Sequence, residues 1–360
     1  NKVPKPLYST GLKAYYSLIK GFRSWIGQSS NIGVDPDTGE EYHWKDIIMF
    51  DDNIRHKHRA ALLKAISETS LIKESIFIFS KNSLIDLNEI PREGIWITHI
   101  GNRNHKKIFR LIVKTRNFGK HNLVINLNED LKNDSINDET IWLIKMGSGF
   151  KEKPLSENFG GYWPEYNLYT EEYIQGETLD RYLKRNEKDI NDKVRVDRWQ
   201  MRWLHFIWNG IQAYQEFWGR SNLERSIQPP SPENLIIPQH DYKTGTRIIS
   251  ISDIKPVESF AEHFLSLYTD FIIVTEKEYP GLRHMPDWEV IFTATIQALK
   301  IDVGRKVLEK LKSEFQDRNT RKKCQLTGLT AERIDQFLDE IYNLGILTKP
   351  VVFAALRYER

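Results

Sequence analysis

The side chains of this chain that are able to carry chemistry are few and scattered. Cys324 is the single cysteine; a thiolate there would be a nucleophile, but no local signature surrounds it and it reads as an ordinary thiol. Three short basic clusters, HKHR at 56–59, HKK at 105–107 and RKK at 321–323, are where a phosphate footprint would begin. Acidic residues dilute each of them, and all three read as solvated surface. Glu224, Glu233 and His240 lie near one Pro-rich stretch and are the groups there able to accept a proton. PENLII at 232–237 adds the carboxamide of Asn234, and ISDIKP at 251–256 the carboxylate of Asp253. What any of them does depends on the elements that hold it.

The bulk numbers set the frame. With 360 residues, 40% apolar and rich in Trp, Tyr and Phe, the chain is long enough for two or three domains with a well-filled core. Basic and acidic residues number 52 and 49, a net charge of +3, which lacks the excess expected of a nucleic-acid binder. A lone cysteine excludes an intrachain disulfide and points to a reducing, cytoplasmic setting. No apolar run approaches the ~20 residues of a membrane span, and no signal peptide is visible. The chain opens on Asn1 rather than Met, the pattern of a processed or excised piece.

Periodicity divides the chain. Leu12, Tyr16, Ile19 and Phe22 recur at helical spacing, and a second helix is predicted over 43–69 from Ile47, Phe50, Ile54, Ala60, Leu63 and Ile66. Residues 1–93 therefore read as a helical N-terminal region. The period then shortens. GIWITHIG (94–101), KKIFRLIVKTR (106–116) and NLVINLN (122–128), parted by GNRNH and NFGKH, predict an antiparallel meander, and YNLYTEEYI (166–174) a further strand. QGETLDRYLKR begins a helix. A long one is predicted over 194–218, where Trp199, Trp203, Phe206, Gly210, Tyr214 and Phe217 make a wide apolar stripe. A Pro-rich loop, a turn at DYKTGTR, the short strand IISISDI and helices near 286–299 and 301–316 follow.

Meander, strand, crossing segment, long helix, Pro-rich loop and Asp-bearing strand occur in the order of a protein kinase, and residues 95–300 resemble that family. The resemblance implies an α+β, two-lobed, kinase-like domain with an antiparallel N-lobe (94–174) and a helical C-lobe (175–318). YTEEYIQGETLDRYL is similar to the hinge. On that likeness Glu171 is the gatekeeper, the carbonyl of Glu172 and the amide of Ile174 face adenine, and Gly176 lets the chain turn. PENLII resembles the end of the catalytic loop and ISDIKP the metal-binding strand. Asn234 and Asp253 are then the oxygen ligands of Mg²⁺, a hard cation that bridges the phosphates of ATP.

The departures bear more on function. Ile227, Gln228 and Pro229 stand where the family carries His-Arg-Asp, so the catalytic base becomes a proline. The phosphate-clamping turn, IGNRNHKK, keeps Gly101 alone of its three glycines. The phosphate-binding lysine is replaced by Asn126 or Asn128 on NLVINLN. Lys114 is the nearest substitute, though its spacing from Gly101 is short, and Glu139 is the nearest candidate for the lysine's glutamate partner. The resemblance thus implies a divergent, pseudokinase-like protein that binds nucleotide, a protein partner, or both. Two alternatives stay open: an ATP-dependent transferase (phosphoryl, nucleotidyl or similar) using Asp253 and Asn234 with Mg²⁺, and a scaffold that binds no nucleotide.

Residues 319–360 resemble a winged-helix module. Thr330 is the predicted N-cap, Ile334, Phe337, Leu338, Ile341 and Leu344 the apolar face, Gly345 the stop, and VVFAALRYER the wing strand. Glu332, Asp335, Asp339 and Glu340 on that helix would repel phosphate, so the module is expected to dock protein rather than DNA.

Overall fold

Turn formers interrupt every apolar run in residues 32–50, so this stretch is built from short pieces. Strand β1 (Ile32–Val34) pairs antiparallel with β2 (Glu41–His43), and between them the Asp35 amide donates to the Glu40 carbonyl at 2.9 Å. One helical turn, α1 (Trp44–Ile47), leads into strand β3 (Ile48–Phe50). Helices α2 (His56–Glu68) and α3 (Leu71–Phe79) follow. The single helix expected over 43–69 is therefore broken. Ile48, Met49 and Phe50 are drawn into a sheet, where β-branched and bulky side chains pack well, and Asp51-Asp52-Asn53 turns the chain before helix resumes.

The computed structural model describes residues 32–79, 87–103, 105–129, 159–186, 208–227, 232–238, 247–249, 254–273, 288–299 and 301–320, with the single positions Arg23, Ile85, Thr140, Glu278, Lys322, Asp335 and Asp339. The predicted N-terminal helix (apart from Arg23) and nearly all of the predicted winged-helix module lie outside them.

Alternating residues over 95–128 form three long strands, β4 (Ile95–Arg103), β5 (Lys106–Thr115) and β6 (Gly119–Asn128). After them come β7 (Phe159–Trp163) and β8 (Leu168–Glu172). They join β3 in a six-stranded sheet of order β3-β4-β5-β6-β8-β7. The protein is α+β. The sheet is mixed rather than purely antiparallel, because β3 runs parallel to β4 while the other neighbours are antiparallel. That parallel strand comes from the region read as helical.

One face of the sheet is the core. Ile95, Ile97, Phe109, Leu111, Val113, Leu123, Ile125 and Leu127 pack there with Trp44, Ile47, Leu62, Ile66, Leu71 and Ile76 from the helices. Helix α3 lies against β7 and buries the carboxylate of Glu74 completely. The Arg23 guanidinium reaches it at 2.8 Å, donates to the Tyr162 carbonyl at 2.7 Å and sits 4.7 Å over the Trp163 ring. Burial pushes the Glu74 carboxyl upward, and Arg23 opposes that shift.

The described residues up to Tyr173 form one compact unit and those from Ile174 onward a second. In the second, β9 (Gly176–Thr178) precedes α4 (Leu179–Asn186). Helix α5, described over 208–220, buries Trp208, Ile211, Tyr214, Phe217 and Trp218; of the stripe predicted upstream, Trp199, Trp203 and Phe206 lie outside the described residues. Two small sheets follow. β10 (Arg225–Ser226) pairs with β13 (Lys255–Pro256), and β11 (Leu235–Pro238) lies between β9 and β12 (Arg247–Ile248). Helix α6 (Phe260–Ser266), capped by the Ser259 hydroxyl, a π-helical turn (Leu267–Ile273), α7 (Trp288–Leu299) and α8 (Ile301–Phe315) complete the unit. Lys312 of α8 pairs with Asp339 at 2.5 Å. Among the described residues no helix is long and apolar enough to cross a membrane.

Candidate functional site

The sheet face turned away from the core is polar, and strand register explains why. Residues directly opposite in antiparallel strands share a face. Asn126 opposes Ile108 on one side and Tyr169 on the other, Asn128 opposes Lys106, and Val124 opposes Arg110 and Glu171. Phe109, Leu111, Leu123 and Ile125 take the core side, so these residues line the other. Asn126, Lys106 and Glu171 are only 4%, 5% and 7% exposed. The Asn126 amide donates to the Glu171 carboxylate at 2.9 Å. The Lys106 ammonium donates to the Tyr169 hydroxyl at 3.4 Å and stands 5.7 Å from that ring. Beside them Arg110 lies 4.1 Å over the Tyr173 ring and donates to Asn122 at 2.8 Å. Burying a carboxylate, a carboxamide and an ammonium on one sheet face costs stability unless they are hydrogen-bonded. The carboxylate and the ammonium balance in charge, and the three groups hold hydrogen bonds within the sheet face.

The expected site residues fall out as follows. Gly101 sits on β4 just past a bulge at His99, opposite Ile108. It therefore shares one row across the sheet with Ile108, Asn126 and Tyr169. A Cβ at Gly101 would touch nothing, so neither close approach nor a left-handed φ requires glycine there. Lys114 lies on the same face but six residues beyond Ile108, about 20 Å along the strand. It is exposed, with its ammonium 5.9 Å from the Trp96 ring. Glu172 is half-buried opposite Leu123, and Ile174, buried, opens the second unit. Gly176 opposes Pro238, and a Cβ on it would run into the Ile237 carbonyl. Its glycine admits a close strand approach, whereas a turn was expected of it.

In the second unit Asn234 ends a 3₁₀ turn (Pro232–Asn234), and its carbonyl accepts the Ile249 amide at 2.8 Å, which ties the turn to β12. Asp253 falls in the chain between β12 and β13 and lies outside the described residues, as do Glu139, Gln228, Pro229 and His240. Glu233 is exposed. Glu224 is also exposed, and its carbonyl accepts the Val257 amide at 2.8 Å. Among the described residues no three His, Cys, Asp or Glu side chains gather as a metal centre.

The same unit holds a cavity of about 330 Å³ lined by Tyr214, Ser226, Ile227, Lys255, His263 and Asp270. Tyr214 donates to the Ile227 carbonyl, and burial drives its hydroxyl pKa upward. His263 is wedged between the Tyr214 ring, stacked at 5.4 Å, and the Trp218 ring at 4.3 Å. Its Nε2 is 2.9 Å from the Gln215 oxygen. Gln215 spends its amide N–H on Thr295 at 2.7 Å, and Thr295 donates to the Ile291 carbonyl at 2.7 Å. This chain makes Nε2 the donor. Burial lowers the His263 pKa to about 3. A base that weak is of little use for proton transfer near pH 7, so His263 serves packing and hydrogen bonding.

Sequence reasoning missed Lys106 and His58, both within basic clusters expected to be solvated. Lys106 is buried on β5. His58 is buried against Phe109, with its Nε2 2.9 Å from a Glu129 oxygen. Lys57, His58 and Lys107 together hold the Glu129 carboxyl down at about 2. For Lys106 parity signals the face of the sheet, though not its burial. Lys106 is an even step from Ile108, Arg110 and Ile112, the side of β5 opposite its core residues Phe109, Leu111 and Val113, directly after the turn.

No protein-family model matches the chain, and comparison with curated proteins finds no match.

Proposed function

We propose that this chain is a divergent kinase-like protein that binds a purine nucleotide and acts through that binding, or through a protein partner it controls, rather than by phosphoryl transfer. The observation that carries the reading is the meeting of Asn126 and Glu171. The resemblance assigns Asn126 or Asn128 to the phosphate-lysine position and Glu171 to the gatekeeper. Forty-five residues apart in sequence, Asn126 and Glu171 are hydrogen-bonded neighbours on a buried polar sheet face, with Gly101 and Ile108 in the Asn126 row. Two further features support it. β8, the last strand before Ile174, pairs directly with β6, and the chain positions of Asn234 and Asp253 are bracketed by the short ladders β11–β12 and β10–β13. Three substitutions argue against turnover: Pro229 offers no proton acceptor, Asn126 no charge, and the β4–β5 turn has one glycine nearby.

Calorimetric titration with ATP, with and without Mg²⁺, tests the reading on the intact chain and on Asp253→Ala. Binding that needs the metal and is lost in the variant is expected. Absence of binding at millimolar ATP would leave a scaffold that takes no nucleotide. Mass spectrometry after incubation with ATP should show no added phosphate or nucleotidyl group on protein; either adduct would mark an active transferase.

A further inference from the structure

The cavity of about 330 Å³ in the second unit has no part in the nucleotide reading, and its volume is at the small end of the range for small-molecule sites. Its floor is made of buried groups that accept hydrogen bonds. Tyr214 spends its proton on the Ile227 carbonyl, so its oxygen is left to accept. His263 spends Nε2–H on Gln215, and in the neutral ring that burial enforces the other nitrogen can only accept. Ser226 is 5% exposed, and its hydroxyl has no hydrogen-bond partner, because the Tyr214 hydroxyl beside it points its proton elsewhere. A hydroxyl buried in that way costs stability, and on a cavity wall a ligand can satisfy it.

The mouth is acidic. Glu258, Glu262 and Asp270 are exposed there against the single ammonium of Lys255, which stands opposite Ser226 in the β10–β13 ladder and so shares its face. The Asp270 carboxylate is close enough to add to the upward push on the Tyr214 hydroxyl. Three carboxylates to one ammonium around a recess focus a negative potential into it, which repels an anion and gathers a cation. We infer that this cavity binds a small organic cation, an amine or guanidine whose N–H groups reach the Ser226 and Tyr214 oxygens while its charge stays near Asp270 and Glu258. Among the described residues the acidic groups are spread around the mouth instead of gathered at one point, which suits an organic cation better than a bare metal ion.

Phenethylamine, 2-phenylethanol and phenylacetate share a shape and differ in charge, and their affinities for the full chain, measured by ligand-observed NMR at low salt, test the assignment. The amine is expected to bind at least about tenfold tighter than the carboxylate, with the alcohol between them. Asp270→Asn, at an exposed position, should narrow that preference at least about threefold, and Ser226→Ala should weaken the amine and the alcohol alike by about threefold. A flat series, tighter binding of phenylacetate, or no amine binding at millimolar concentration would overturn the proposal, and so would two variants that both match wild type. A measurement on the unmutated chain guards against a variant that misfolds. An alkylamine bearing a diazirine loses dinitrogen on irradiation, and its carbene inserts into a neighbouring bond. Peptide mapping should find the label on segments 214–227 and 255–270, suppressed by excess phenethylamine. Label confined to other segments, or label that excess amine fails to displace, would refute the assignment.

Discussion

Acidification should weaken the second unit through His263 in a way that can be counted. The imidazole is buried between Tyr214 and Trp218, and its pKa falls to about 3 from the 6.5 of an exposed histidine. The folded state therefore refuses a proton that the unfolded chain accepts below about pH 6.5. Protons bound to the unfolded state pull toward unfolding, so stability is full above pH 6.5 and declines steadily as pH falls toward 3. Between pH 7 and pH 5 the loss from this one residue is about 2 kcal/mol. In a unit of this size that amounts to about 4–8 °C in Tm. Other groups also titrate, so the assay compares urea unfolding of wild type and His263→Gln at both pH values, followed by amide exchange along the helices that carry Trp218 and His263. Glutamine keeps an amide donor for the Gln215 oxygen but binds no proton. The variant should be less stable at pH 7 and lose about 2 kcal/mol less on acidification. Parallel losses in the two proteins, or ¹⁵N shifts showing an imidazolium at pH 6, would refute the reasoning.

Two other perturbations follow from particular contacts. Arg23→Ala strands the fully buried Glu74 carboxylate and should cost about 3–5 kcal/mol, whereas Arg23→Met/Glu74→Leu should recover much of it; a double-mutant cycle by chemical denaturation decides, and additive losses would exclude a coupled pair. Gly176→Ala drives a methyl group into the Ile237 carbonyl, so about 1–3 kcal/mol and faster amide exchange along β9 and β11 are expected, with unchanged exchange counting against the close approach.

The meander was legible because alternation over 95–128 is strong and its turns carry Gly and Asn. The expected strands at 94–101, 106–116 and 122–128 sit on β4, β5 and β6 with ends shifted by a few residues. Strand β3 was not legible. Ile47, Ile48 and Phe50 satisfy helical spacing as well as extended spacing, and only a partner 47 residues downstream decides between them. Strand β7, FGGYW, escaped notice because two glycines weaken its β signal. The structure explains them by crowding: a Cβ at Gly160 would press on the Phe79 ring and one at Gly161 on Glu74. Within the candidate site, the resemblance pointed to Asn126 or Asn128 without choosing between them. The buried state of Lys106 could not be read, since a Lys-Lys pair beside a turn looks the same whether the sheet face is wet or covered.

The joining of β3 to β4 has a practical consequence for anyone dissecting this chain. Nothing in the period of the sequence distinguishes Gly94 from a natural starting point, yet an excised piece that begins there would have a bare sheet edge at Ile95–Ile97 and would lack Trp44, Ile47, Leu62, Ile66 and Leu71, the helical wall over Phe109, Leu111 and Ile125. Such a fragment has an adhesive edge and half an interior, the makings of an aggregate. Expression boundaries for the polar sheet face belong upstream of Tyr42, the first residue of that shared interior, and upstream of Arg23, the partner of Glu74.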